Sequence, residues 1–217
     1  MSHYKAVIFD LDGTLLDTSE GIFSSVTYAI NTLGLADIPQ DVLRTFIGPP
    51  IQKSFARVYG MDKEEADRAA DVFRNRYKDH DLMLARPYDG MFETLERLSE
   101  AGVKTAVATY KRQDYAEKIL TGFGFDRAVD AICGSDFAGK LTKKDIIVNA
   151  IERLGITDRS QVVMTGDSDN DAIGASEIGV SFVGVTYGFG FSSAKDVEAF
   201  SNIGSADSPE GILRYVL

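Results

Sequence analysis

Two acidic clusters hold the residues best suited to chemistry. Asp10-Leu11-Asp12-Gly13-Thr14 sets two carboxylates two residues apart, with a glycine to free the turn. Such a pair can share a divalent cation, or divide labour between a nucleophile and a proton carrier. The same residues also suit a solvated turn with an Asx-type cap. Gly166-Asp167-Ser168-Asp169-Asn170-Asp171 places three acids behind an apolar run. That is a donor set for a hard cation, or an acidic helix cap. A calcium-binding EF-hand loop is excluded, because its sixth position is Ala172 rather than Gly and its twelfth is Ile178 rather than Glu. Thr109 ends another apolar run. Its hydroxyl and the amides of Tyr110 and Lys111 could hold phosphate oxygens, or Thr109 could cap a helix. Lys143 and Lys144 open a helical pattern, where a cation opposes the helix dipole. Either one of them has a further task there, or both are solvated.

These residues sit where strands should end. Ala6-Val7-Ile8-Phe9 is wholly apolar and stops at Asp10, the pattern of a parallel strand buried on both faces. Val103 to Ala108, Val162 to Met164 and Val180 to Val185 repeat it, with a shorter run at Ala131 to Cys133. Helical spacings lie between them. Phe92, Leu95 and Leu98 are closed by Gly102, and Ile146, Ile147, Ala150, Ile151 and Leu154 are closed by Gly155. The alternation predicts an α/β fold, a three-layer Rossmann-like parallel sheet with right-handed crossovers. In such a sheet ligands bind beyond the carboxyl ends of the strands.

One interval lacks strand candidates. Ile22, Phe23, Val26, Ala29, Ile30 and Leu33 form a helical stripe ending at Gly34. Lys63 to Leu82 reads as one long helix, with Ala66, Ala69, Ala70, Phe73 and Tyr77 on one side. Residues 17–83 are therefore expected to be a helical unit inserted after the first strand, with residues 1–16 and 84–217 as the α/β core. Arg86-Pro87-Tyr88-Asp89-Gly90 is the expected return turn.

Composition narrows the partners. The chain has 217 residues and a formal charge of −10, so no basic face for nucleic acid is expected. Cys133 is the single cysteine and is expected to be inert packing. With only His3 and His80 beside it, a His/Cys zinc cluster is excluded. The apolar start is too short for a signal peptide and no stretch suits a membrane span, so a cytoplasmic location is expected. Gly188-Phe189-Gly190 lacks the third glycine of a dinucleotide fingerprint, since position 193 is Ser193.

Phe9 to Leu15, Thr109, Lys143 and Gly166-Asp167 with Asp171 together resemble, in order, the four motifs of the haloacid dehalogenase-like phosphohydrolases. The inserted helices are similar to that family's four-helix cap. Phe46-Ile47-Gly48-Pro49-Pro50 and Tyr88-Asp89-Gly90 resemble its phosphoglycolate-phosphatase-like branch. The resemblance implies a phosphatase using Mg²⁺ on a small phosphorylated metabolite, as a monomer or homodimer. Asp10 would attack phosphorus and Asp12 would protonate the leaving alcohol, then activate water. Thr109 and Lys143 would bind the phosphoryl group. Asp10, Asp167, Asp171 and the backbone carbonyl of Asp12 would serve the metal. Lys143 is preferred to Lys144 because it lies twelve residues before Gly155, as in that branch. Tyr110 stands where relatives usually carry a small Asn or Ser, and Ser168 where many carry Arg or Thr.

Three readings follow from these motifs: a hydrolase, a sugar phosphomutase, or a non-catalytic phospho-acceptor. Turnover with release of phosphate separates the first from the others. Substrate choice is expected in the segment Ile47 to Lys53. There Gly48-Pro49-Pro50 fixes a turn, and Lys53 lies in the first turn of a helix that could meet an anionic leaving group.

Overall fold

The computed structural model describes residues 4–217, so His3 lies outside the described residues. Two compact units are present. One holds the residues up to Asp17 together with Pro87–Leu217, and the other holds Thr18–Arg86.

The first unit opens with β1 (Ala6–Phe9), every residue of which is buried. A short strand, β2 (Leu16–Asp17), leads out of it. The second unit then supplies α1 (Ser19–Leu33), α2 (Gln40–Arg44), α3 (Ile51–Tyr59) and α4 (Lys63–Arg76). Gly34 and Gly60 close α1 and α3 in left-handed backbone conformation. Asp62 opens α4 with a capping box to Glu65. Helix α4 packs on α1 and α3 through the stripe Ala66, Ala69, Ala70 and Phe73. The long helix read from Lys63 to Leu82 is broken. After Arg76 it widens into a π-helix over Tyr77–Asp81, with the Leu82 amide reaching back to the Tyr77 carbonyl. The wider turn carries buried Asp81 to the Arg76 guanidinium and the Ser25 hydroxyl, at 3.0 and 2.8 Å.

The chain returns through β3 (Arg86–Pro87) and runs through α5 (Met91–Glu100), β4 (Lys104–Arg112), α6 (Gln113–Gly122) and β5 (Ala131–Ser135). Next come α7 (Lys143–Arg153), β6 (Val162–Gly166), α8 (Asp169–Glu177), β7 (Ser181–Val185) and β8 (Gly204–Ala206). Six strands form one parallel sheet in the order β5-β4-β1-β6-β7-β8. The α/β expectation therefore holds. Ile8, Ala106 and Met164 pack with Ile146, Ile147 and Ala150 of α7. Val7 and Phe9 point to the opposite face and are equally buried, as in a sheet covered on both sides.

Strand order reverses beside β1. The chain goes from β1 outward to β4 and β5, then crosses back to β6 on the other side. Such a switch point opens a crevice at the carboxyl ends of the strands. Phe9 is level with Val107 of β4 and Thr165 of β6, so the residues following these strands emerge side by side.

Two local expectations are corrected. Strand β4 does not end at Thr109 but continues to Arg112, with its pairing to β5 shifted between Ala108 and Arg112. Phe92 does not point inward. It is about a third exposed and stacks on Phe125 with centroids 4.4 Å apart, while Met91, Leu95 and Leu98 form the buried face of α5.

Candidate active site

Asp10 follows β1 directly, and its amide bonds the Thr165 carbonyl of β6 at 2.9 Å. The chain then wraps tightly. The Leu11 carbonyl accepts from the amides of Leu15 and Leu16, and the Gly13 amide returns to the Leu16 carbonyl. Gly13 adopts φ +83, and a β-carbon there would lie 2.2 Å from Asp167 Oδ2. Both the backbone angle and the space demand glycine. The wrap holds Asp10 and Asp12 in the buried crevice.

Lys143 reaches the same crevice from the first residue of α7. Its side chain is only 4% exposed, and Nζ lies 2.8 Å from Asp10 Oδ1 and 2.6 Å from Asp171 Oδ1. Asp171, in the first turn of α8, also accepts from the Ser168 amide and hydroxyl at 3.1 and 2.6 Å, a reciprocal cap. Asp167 Oδ2 accepts from the amides of Phe189 and Gly190 at 2.6 and 3.1 Å. Gly188 and Gly190 permit this approach, since a β-carbon at either would collide with Asp167. The Tyr187 hydroxyl donates to the Thr14 carbonyl at 3.1 Å, tying the same loop to the turn after β1. A second ion pair joins Lys111 Nζ to Asp12 Oδ1 at 3.0 Å, with both side chains nearly buried.

Carboxylate oxygens of Asp10, Asp167 and Asp171 all lie within 4.8 Å of one another, and all three residues are buried. Burial pushes Asp10 up to about 7; Lys143 opposes this, while Asp171 and Asp12 add to it. Burial pushes Asp167 up to about 8, reinforced by Asp171 and Asp10 against the two backbone amides. Burial alone would lower Lys143, but Asp10 and Asp171 outweigh it and hold the ammonium well above its usual range. Three crowded carboxylates with one ammonium among them leave negative charge unbalanced. All their free donors are hard oxygens. The cluster fits a small divalent cation such as Mg²⁺.

Residues 7–185 match the haloacid dehalogenase-like hydrolase family. The chain belongs to that family. A 5'-nucleotidase of Pseudomonas aeruginosa is 39% identical over 86% of this hydrolase and 85% of its own length. A phosphoglycolate phosphatase of Agrobacterium fabrum is 35% identical over 84% and 80%. A solved structure described as a predicted phosphatase from Clostridium acetobutylicum superposes with TM-score 0.89 at 36% identity, covering 97% and 99% of the two chains.

The fold of this hydrolase thus brings together Asp10, Asp12, Lys143, Asp167 and Asp171, which lie far apart in the sequence. Lys144 is half exposed and faces Glu177 at 3.5 Å, so the lysine that reaches the carboxylates is Lys143. Thr109 is buried on β4 and its hydroxyl accepts the Lys111 amide at 3.1 Å. The Tyr110 hydroxyl accepts the Lys143 amide at 3.0 Å. Asp169 is exposed and stays outside the cluster. Gly48 and Lys53 belong to the helical unit, where Lys53 is exposed in the first turn of α3. Sequence reasoning missed the Lys111–Asp12 pair and the amides of Phe189 and Gly190. The second had a signal: two glycines just past a strand mark a close backbone approach.

A pH dependence follows. Asp10 and Asp167 hold protons more tightly in the fold than in an unfolded chain, where carboxylates titrate near about 4. Their contribution to stability is therefore full below about pH 4 and is lost as pH rises through about 7–8. With EDTA present, the urea midpoint should be lower at about pH 8.5 than at about pH 6. Mg²⁺ should raise the midpoint more at the higher pH, because it replaces the missing protons. Asp167→Asn should flatten the difference. A metal-free midpoint that rises across this interval would contradict the charge assignment.

Proposed function

We propose that this chain is a Mg²⁺-dependent phosphomonoester hydrolase that works through an aspartyl-phosphate on Asp10. The observation carrying the reading is Lys143 Nζ held between Asp10 and Asp171, with Asp167 alongside, at the carboxyl ends of β1 and β6. A carboxylate attacking a phosphate dianion meets strong like-charge repulsion, and a buried ammonium beside it offsets part of this. Asp10, Asp167 and Asp171, with the backbone carbonyl of Asp12, would hold Mg²⁺, which supplies further neutralisation of phosphate and carboxylate charge.

In the first step an Asp10 oxygen forms a bond to phosphorus as the ester P–O bond breaks. The leaving oxygen keeps the electron pair and takes a proton from Asp12. In the second step Asp12 removes a proton from water as the water oxygen bonds to phosphorus, releasing inorganic phosphate and Asp10. Thr109 and Lys143 hold the phosphoryl oxygens. Lys111, whose Nζ lies 3.0 Å from Asp12 Oδ1, keeps the Asp12 carboxyl oriented in the crevice.

The substrate is proposed to be a small phosphorylated metabolite, with phosphoglycolate and a nucleoside monophosphate as the first candidates. The related 5'-nucleotidase and phosphoglycolate phosphatase support that class. Selection within it is assigned to the helical unit, at Gly48 and Lys53. A location in the cytoplasm is consistent with the absence, among the described residues, of a helix long and apolar enough to cross a membrane. Release of inorganic phosphate from a panel of esters, with Mg²⁺ and with EDTA, tests the reading. A panel with no metal-dependent turnover would contradict it.

Acid/base work and metal binding should separate by mutation. Asp12→Asn should lower kcat by roughly 10²–10⁴-fold with little change in the Mg²⁺ concentration for half-activation, since its backbone carbonyl remains. Asp167→Asn should instead shift that concentration upward. Rates measured against Mg²⁺ for both variants check this, and identical curves would refute the division of roles.

A further inference from the structure

We propose that Tyr110 is a positioning residue for Lys143. Its hydroxyl holds the first amide of α7, and so sets where the Lys143 ammonium meets Asp10 and Asp171. The inference rests on the phosphoryl-binding role given to Lys143 above.

The first amides of a helix have no acceptor within the helix. In α7 the N-cap Thr142 hydroxyl accepts from Asp145, two residues beyond Lys143. The Lys143 amide is served instead from β4, by the Tyr110 hydroxyl at 3.0 Å. The same ring lies 5.7 Å from Lys143 Nζ, where its face favours a cation. A separate constraint acts on the stem of Lys143. A β-carbon at Gly174 of α8 would sit 3.0 Å from Lys143 Cγ and 3.1 Å from its Cβ. A larger residue there would press on the stem and shift it by a few tenths of an ångström.

Lys143 is therefore held at three levels: the backbone by Tyr110, the stem by Gly174, and the head by two carboxylates. A free lysine side chain samples many rotamers, and fixing it in one lets its charge act without rearrangement as the phosphoryl group transfers. The hydroxyl of Tyr110 accepts from α7, which places its side chain to act through Lys143.

Tyr110→Phe removes only the hydroxyl and keeps the ring. At saturating Mg²⁺, kcat on p-nitrophenyl phosphate should fall by about threefold to tenfold, the worth of one net hydrogen bond. KM should stay within about twofold, because the loss falls on the transition state. Inhibition by orthovanadate, which mimics the five-coordinate phosphorus, should weaken by the same factor as kcat, with the thermal midpoint lowered by only a few degrees. Gly174→Ala, pressing on the lysine from the other side, should reduce kcat and vanadate affinity together. In a Lys143→Met background Tyr110→Phe should add no further loss.

Unchanged kcat and vanadate affinity in Tyr110→Phe, with Lys143→Met strongly impaired, would overturn the positioning role and leave the phosphatase reading standing. A rise in KM alone would overturn it as well, by making Tyr110 a substrate contact. An equal loss with and without Lys143 would do the same. Wild-type turnover in Lys143→Met would overturn the phosphatase reading itself.

Discussion

Asp10→Asn should abolish turnover, by more than roughly 10⁴-fold, without unfolding the protein. An amide is a poor nucleophile and a weak ligand for a hard cation. The fold should survive because Asp10 is one of three clustered carboxylates whose mutual repulsion is only partly met by Lys143. Removing one relieves that repulsion, and Lys143 keeps Asp171 as a partner at 2.6 Å. The metal-free melting temperature of Asp10→Asn should therefore equal or exceed that of the wild type at alkaline pH. Phosphate release and a circular-dichroism melt on the same preparation check both halves. Near-wild-type turnover would remove Asp10 from the chemistry.

Lys143→Met should be damaging in a different way. It deletes the ammonium between Asp10 and Asp171 while preserving most of the buried stem. Loss of a charge aimed at developing negative charge should lower kcat by about 10²–10³-fold. Breaking one side of a buried pair also strands the other, a loss of roughly 3–5 kcal/mol where nothing compensates. The metal-free variant should melt well below the wild type at about pH 8 and recover in acid, where the stranded carboxylates bind protons. Lys144→Met is the matched comparison. Its ion pair with Glu177 is half exposed and worth about 0–1 kcal/mol, so kcat and stability should hardly move. Equal behaviour of the two variants would contradict the geometry of α7.

The parallel sheet could be read from the sequence because buried strands are wholly apolar. Ala6–Phe9 and Val162–Met164 have no other plausible home, and the first residue past each of those two strands is an acid. Asp10 and Asp167 are therefore legible in the sequence itself. The far end of β4 was illegible for the converse reason. Tyr110, Lys111 and Arg112 lie at the carboxyl edge, where strand backbone continues under polar residues and no apolar run marks it. Strand β8, Gly204–Ala206, has no apolar run; its pairing with β7 defines it. The π-helical turn at Tyr77 keeps helical apolar spacing and gives no warning in the pattern. Lys111 opposite Asp12 depends on β4 lying beside β1, and only topology supplies that neighbourhood. Lys143 is preferred over Lys144 by its spacing to Gly155, and the direction of the first turn of α7, which adjacent residues with identical side chains do not encode, supplies the physical reason.

Acid quench of the wild-type enzyme during turnover, followed by borohydride reduction and peptide mass mapping, tests the central claim most directly. An acyl phosphate on Asp10 is reduced to homoserine, whereas an unmodified aspartate is left alone. The account predicts homoserine at position 10, dependent on both ester and Mg²⁺ and absent from Asp10→Asn. Steady phosphate release with no reducible adduct at Asp10, or with the adduct on another carboxylate, would contradict it.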